Sequence, residues 1–333
     1  MQNVAFDPTL VDYSIGYEDT QAHSPRFLEF ATDVIGSLMA RHDLRGARTL
    51  EVGCGKADFL RMVCRATGGP GIGIDPALAP GALDDEGLDL TLLARPYGAG
   101  DHDLSADLVV CRHTLEHIPD VADFLTMMRT NLAANPDTVV FVEVPDTGRV
   151  LAEGAFWDVY YEHCSYFDAD SLATLATRLG FDDVDVRLGF DEQYLLLEAR
   201  VGTGPVRAEP THAPDPDEVR GFAASVERSI SDLRRRFATA AESGHRIGLW
   251  GASSKAVSLL TMTEPGPEVP YAVDINPRKW GRHLAGTGLP VIGPDDIAAR
   301  PVDEMLVLNP IYLEEIGRDL SARGLAITTT TLA

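Results

Sequence analysis

The sequence predicts two α/β domains in tandem, each built on a mostly parallel sheet. Three observations carry this reading. The 333 residues exceed what one hydrophobic core usually supports. Apolar β-type runs alternate with helical stretches on both sides of one break in composition. That break, Thr203 to Asp217, gathers Pro205, Pro210, Pro214 and Pro216 with Gly204 and acidic residues, as a linker does. The expected division is a first domain over 1–202, a linker and amphipathic helix over 203–244, and a smaller domain over 245–333.

In the first domain the strand-like runs are RTLEVG, PGIGID, ADLVVC, DTVVFVEV, VDVRL and YLLLEARV. The linker ends in a helix start, with Asp215 as N-cap, Pro216 at the first helical position and Glu218 three residues after the cap. Val219, Phe222, Val226, Ile230, Leu233 and Phe237 then recur at helical spacing, an apolar stripe that must dock on a domain or a partner chain. The pattern is too short for a coiled coil, which favours an inter-domain strut and leaves the oligomeric state open. After Gly244 the runs HRIGLWGASSK, YAVDINP, EMLVLNP and LAITTT restart the α/β pattern.

Hydrophobic residues at 45% and charged residues at 24% describe a globular chain, and no apolar run approaches the roughly 20 residues that span a bilayer. The first twenty residues carry neither a basic n-region nor an apolar h-region, so a soluble, cytoplasmic protein with no membrane partner is expected. Cys54, Cys64, Cys111 and Cys164 lack CxxC spacing and read as free thiols. A net charge of −23 argues against nucleic acid, whose binding needs clustered Lys and Arg. The partner is expected to be a small molecule.

The run from Thr49 to Leu60 reads as strand, glycine turn and helix start. Gly53 and Gly55 let the backbone turn sharply and approach a ligand, and Asp75, closing the next strand, stands where ribose hydroxyls lie in such folds. A dinucleotide site wants G-x-G-x-x-G, whereas E-x-G-x-G-x-A puts the acidic Glu51 before the glycines. That carboxylate repels a pyrophosphate but suits the cationic amino-acid end of S-adenosylmethionine (SAM), the expected cofactor.

His113-Thr114-Leu115-Glu116-His117 fits the H-x-x-E-H zinc pattern. Such a site needs a long helix and a third ligand; here a strand precedes the motif and Pro119 follows it, so no metal is expected. The segment Phe156 to Phe167 is more informative. Tyr160, Glu162 and His163 lie together among aromatic residues. An imidazole takes a proton near neutral pH, a phenol donates to an oxyanion, and a carboxylate can orient the imidazole.

The blocks EVGCGKADFL, GIGIDP, ADLVVCRHTLEHI and VVFVEVPD resemble the successive motifs of class I methyltransferases, which implies a Rossmann-like seven-stranded sheet closed by an antiparallel strand, followed by a second, smaller Rossmann-like α/β domain. By that resemblance Glu51, Gly53 and Gly55 line the methionine end of SAM, Asp75 binds the ribose, and Cys111, Arg112 and His113 lie by the sulfonium. Ala57 stands where many members have glycine. Tyr160-x-Glu162-His163-x-x-Tyr166-Phe167 is similar to the Y-x-E-H-x-x-Y-F signature of the SAM-dependent C-methyltransferases of deoxysugar biosynthesis, which act at C3 of nucleotide-linked 4-keto sugars. The GASSK, VDINP and GTG blocks are similar to that family's C-terminal domain, and the resemblance runs from about Tyr13 to Leu325. Members acting on nucleotide sugars generally begin with a cysteine-rich zinc module that these four cysteines do not supply, so the sugar assignment rests on the other motifs.

The resemblance implies His163 as general base, with Tyr160 and Glu162 stabilising or reprotonating an enolate. It also implies Tyr166, Lys255, Asp274 and Asn276 as substrate-binding residues. A methyltransferase acting on oxygen or nitrogen is the alternative, using His163 on a hydroxyl or amine. A non-catalytic SAM- or nucleotide-binding protein is the alternative of another class; intact Tyr160, Glu162 and His163 speak against it, since a binder needs no proton relay.

Overall fold

The computed structural model describes every residue except 12–19, 79–86, 207–215 and 333, together with the backbone alone at 216 and 218. Tyr13, Pro210, Pro214 and the expected cap Asp215 lie outside the described residues. Contacts divide the chain into two units: Met1–Ala22, Phe27–Arg149 and Tyr161–Asp215 form the first, and His23–Arg26, Val150–Tyr160 and Pro216–Ala333 the second. The segment 156–167 is thus shared, with Tyr160 in the second unit and Tyr161 onward in the first.

In chain order the first half holds α1 (Pro25–Arg41), β1 (Thr49–Val52), α2 (Asp58–Thr67), β2 (Gly71–Ile74), β3 (Leu90–Leu93), β4 (Leu108–Arg112), α3 (Val121–Asn131), β5 (Val139–Pro145), α4 (Thr147–Glu153), α5 (Ala169–Arg178), β6 (Asp182–Gly189) and β7 (Tyr194–Arg200). The seven strands form one sheet ordered β3-β2-β1-β4-β5-β7-β6, parallel except for β7, which runs antiparallel to both neighbours. This is the sheet expected from the sequence, closed by YLLLEARV as expected. The edge strand β3 is not among the runs expected from the sequence, although Leu88, Leu90 and Leu92 alternate with the exposed Asp89 and Thr91 and pack onto the core.

Side chains alternate across the sheet and define its two faces. Val109 and Cys111 of β4 join Phe124, Leu125 and Met128 of α3 and Leu172 and Ala176 of α5. Leu108 and Val110 face the other way, onto Ala31, Val34, Ile35 and Leu38 of α1 and Phe59 and Val63 of α2. Covering both faces explains why β4 and the first four residues of β5 read as continuous apolar runs. Their carboxyl ends are left to carry polar residues.

The second unit holds α6 (Pro216–Ser243), β8 (Ile247–Trp250), α7 (Ser254–Thr263), β9 (Ala272–Val273), β10 (Val291–Ile292), β11 (Glu304–Val307), α8 (Leu313–Ala322) and β12 (Thr328–Thr331). Its five strands are all parallel, in the order β10-β9-β8-β11-β12. The stripe of α6 finds its docking surface inside this unit: Leu233, Phe237 and Ala240 are buried with Leu249, Leu259 and Leu306, and Phe222, Val226 and Ile230 pack beside them. No helix among the described residues is long and apolar enough to cross a membrane.

Phe237 is 2% exposed. Replacing it by alanine leaves a cavity and should cost about 3–5 kcal/mol of stability, read by denaturant unfolding of the full chain. A loss under about 0.5 kcal/mol, typical of surface sites, would mean that α6 does not pack there.

Candidate active site

The turn after β1 sets the geometry of the first polar region. Gly53 has φ +74° and Gly55 φ +52°, both in the left-handed region that side chains disfavour. A Cβ on Gly53 would collide with the Thr114 side chain, whereas none on Gly55 would meet any protein atom within 4 Å. Ala57 also sits left-handed, at φ +60°, immediately before α2. Asp75 braces the loop: one carboxylate oxygen accepts the Gly55 N–H at 2.8 Å and the other the Ala77 N–H at 2.7 Å.

Glu51 is 3% exposed, and its Oε2 has no hydrogen-bond partner among the described residues. Burial pushes its carboxyl up to about 8, against the opposing pull of Arg112. The residues fit SAM on these observations. An orphaned buried carboxylate matches an ammonium group, the space beyond Gly55 is open, and Asp75 keeps lone pairs for ribose hydroxyls.

At the ends of β4 and β5 the structure builds a charged knot. Arg112 donates two hydrogen bonds to Glu143, at 3.0 Å from Nε and 2.8 Å from Nη2. Its guanidinium lies 4.0 Å from the Phe59 ring centroid. His113, strained at φ +46°, places Nε2 at 2.8 Å from Glu143 and Nδ1 at 3.6 Å from Glu116. Burial favours the neutral imidazole, but the two carboxylates overcome it and raise His113 to about 9. Burial likewise opposes ionisation of Glu143, yet Arg112 and His113 hold it down to about 2. Of the three residues expected beside the sulfonium, Cys111 is fully buried in the core, and Arg112 and His113 are engaged with Glu143.

The third region is the His163 loop. Its backbone is tied down: Cys164 N–H and Ser165 N–H donate to the Glu116 carbonyl at 2.7 and 3.1 Å, and Asn3 N–H donates to the Cys164 carbonyl at 2.9 Å. His163, 6% exposed, meets the His117 ring edge-on at a centroid distance of 4.8 Å and lies 5.8 Å from the Tyr166 ring. His117 Nδ1 lies 3.2 Å from the Glu162 carbonyl oxygen, which can only accept, so Nδ1 carries a proton. Glu116, His117 and His163 each offer a ligand-type atom within 4.8 Å of the others.

The carboxylate buried beside His163 is therefore Glu116, 2% exposed, whereas Glu162 is exposed and contributes its carbonyl. Nothing in the local sequence marks Glu116 and His117 as partners of His163, because the strand-to-turn connection and the distant loop meet only in space. Burial works against ionisation of Glu116, and His113, His117 and His163 together still hold its carboxyl below the ordinary value.

In the second unit, Tyr160 donates its hydroxyl to Asp158 at 2.9 Å, and Lys255 pairs with the same carboxylate at 2.5 Å. Asp274 accepts the Ala252 and Asn276 N–H groups at 3.0 and 2.9 Å and pairs with Lys279 at 3.0 Å. Asn276 is 1% exposed; its Oδ1 accepts from Arg278 N–H, and its Nδ2 has no partner among the described residues.

Two outcomes follow from the buried charges. Below pH 8 the free protein keeps Glu51 protonated, so binding a ligand ammonium there should expel a proton. Calorimetric titration with S-adenosylhomocysteine (SAH) at pH 7, in buffers of different ionisation enthalpy, should report that release, and E51Q should abolish it; equal release in both would clear Glu51 of the role. Stability linked to His113 is complete below pH 6.5 and lost as pH rises through about 9, while that linked to Glu143 is complete above pH 4.5 and lost as pH falls through about 2. E143Q should cost about 3–5 kcal/mol at pH 7 and flatten the alkaline decline measured by denaturant unfolding. An unchanged alkaline slope would show that the knot does not titrate as a unit.

Comparison with known proteins bears on the whole chain. A family model described as a methyltransferase domain matches residues 23–186, and one described as a C-methyltransferase C-terminal domain matches 207–325. The C-methyltransferase NovU of Streptomyces niveus is 28% identical over 293 residues, 81% of this chain and 68% of NovU. Among solved structures, the 1,6-didemethyltoxoflavin-N1-methyltransferase of Burkholderia thailandensis, with SAH bound, is 18% identical with a TM-score of 0.41, covering 56% of this chain and 80% of its own. The N,N-8-amino-8-demethyl-D-riboflavin dimethyltransferase RosA of Streptomyces davawensis is 23% identical with a TM-score of 0.41, covering 53% of this chain and 56% of its own. With both models matched in order, the chain carries a methyltransferase domain followed by a C-methyltransferase C-terminal domain, and it is a SAM-dependent methyltransferase.

Proposed function

We propose that the acceptor is an activated keto sugar, nucleotide-linked, or a related ketone, and that His163 is the general base for methylation at carbon. The observation that carries this reading is the burial of His163 against His117 and the ionised Glu116. The match of 207–325 to a C-methyltransferase C-terminal domain, and the name of the relative from Streptomyces niveus, support carbon as the methylated atom.

A C–H bond yields to a protein base only when an adjacent carbonyl takes up the electron pair. His163 removes that proton, and the C–H pair moves onto the carbonyl oxygen as an enolate. Glu116, a fixed anion, favours the imidazolium that results. In the complex the Tyr160 hydroxyl turns from Asp158 to donate to the enolate oxygen, and where methylation does not follow, the His163 imidazolium returns a proton to the carbon and restores the ketone. Bound SAM supplies an electrophilic methyl group on a sulfonium, with SAH as the leaving group. Glu51, Gly53, Gly55 and Asp75 orient that donor, while Tyr166, Lys255, Asp274 and Asn276 bind the acceptor.

The test is the H163A variant with SAM and candidate nucleotide-linked keto sugars. Turnover to SAH should fall by about 10²–10⁴-fold, the usual worth of a general base, with SAH affinity unchanged. In heavy water the wild type with SAH should exchange the proton α to the ketone, and H163A should not. Loss of SAH binding in H163A would make the residue structural, and persistent exchange would move the base elsewhere.

A further inference from the structure

The H-x-x-E-H motif does not close on itself. His113 is turned to Glu143, and Leu115–His117 is a single 3-10 turn rather than a long helix. What the fold does is exchange one histidine for another. The chain from 161 to 167 returns to this turn, pinned by the Cys164 and Ser165 N–H groups on the Glu116 carbonyl, and puts His163 where the motif would have needed His113.

The resulting set is two imidazoles and one carboxylate within the first unit. Three features prepare it for a cation. Glu116 is 2% exposed, and its Oε2 has no hydrogen-bond partner among the described residues. His117 has its Nδ1–H directed at a backbone carbonyl, the arrangement that in a neutral ring orients Nε2 as the metal-binding nitrogen. His163 is buried beside it, with ring centroids 4.8 Å apart. A dication would neutralise a buried anion that no hydrogen bond fully satisfies.

We propose that Glu116, His117 and His163 form a binding site for a divalent transition metal ion of the zinc class, and that its occupancy inhibits the enzyme. Imidazole ligands select zinc, nickel, cobalt or copper over magnesium and calcium, which take oxygen. Zinc–nitrogen and zinc–oxygen bonds of about 2.0–2.2 Å require the ligand atoms, now within 4.8 Å, to draw together. Half-buried His117 has room for that movement. Three protein ligands leave a coordination position for water. The bound ion takes the lone pair of His163, so no base remains for the acceptor proton. The inhibitory half rests on the reading of His163 as base; the binding half does not.

The full chain, stripped with a chelator and dialysed, is titrated with zinc in a calorimeter and with cobalt in a spectrophotometer. One equivalent of zinc is expected, with visible cobalt bands of a low-coordinate site. Affinity should fall by more than about tenfold in H117A and in E116Q, since even groups behind metal ligands are worth that much. The exposed H102A control should bind as the wild type does. Zinc should also protect His117 and His163 of the wild type from acylation by diethyl pyrocarbonate, mapped by mass spectrometry, a readout independent of how the variants fold. Stoichiometric zinc should suppress turnover, and chelator should restore it. Unprotected histidines, or equal affinity in all variants, would overturn the site. Protection without loss of turnover would leave the site standing and overturn both the inhibition and His163 as base.

Discussion

The buried carboxylate of Glu143 is the constraint on which the rest of the first unit depends. It is fully excluded from water at the end of β5, where an unpaired charge would cost several kcal/mol, and it is matched by a two-bond fork from Arg112 and by the His113 imidazolium. Pairing on this scale holds the ends of β4 and β5 in register. It also holds His113 in a left-handed backbone conformation that an unconstrained histidine would rarely adopt.

Two consequences radiate from that knot. On one side, the chain reversal at His113 sets Thr114 against Gly53, so the glycine turn after β1 and the turn after β4 are shaped by each other. Arg112, although turned to Glu143, still bears on Glu51 through its field, partly offsetting the cost of burying that carboxyl. On the other side, the same reversal delivers Glu116 and His117 to the loop that carries His163. The glycine turn and the His163 loop are thus two outlets of one electrostatic arrangement.

The second unit handles charge differently. In a chain of net charge −23, cations are scarce, and Lys255 and Lys279 are each matched to a carboxylate, Asp158 and Asp274. Asp274 also closes the β8–α7 turn through the Ala252 N–H, the same brace that Asp75 makes on Gly55 in the first unit. In both units an acid at the end of the second strand stabilises a small-residue turn after the first. An acceptor bound there would enter a site whose charges are already balanced.

The two α/β folds, most of their strands along the chain and the glycine turn after β1 were legible in the sequence, because each is written in local pattern. Apolar runs mark buried strands, E-x-G-x-G needs no distant partner to be read, and the Val219 to Phe237 stripe announces a docked helix. The two-residue β10 was not legible, since two residues carry no period; β3 was marked by the alternation Leu88, Leu90, Leu92, but over one short edge segment. The surface that receives α6, the commitment of Arg112 and His113 to Glu143, and the identity of the carboxylate beside His163 were decided only by tertiary structure. Sequence proximity pointed to Glu162, which shares a loop with His163 and faces water. Glu116, 47 positions earlier in the numbering, is the partner because backbone hydrogen bonds from Cys164 and Ser165 bring it there. A buried ion's partner is chosen by which charges the fold removes from water together, and that is a property of the packed chain, which no local pattern records.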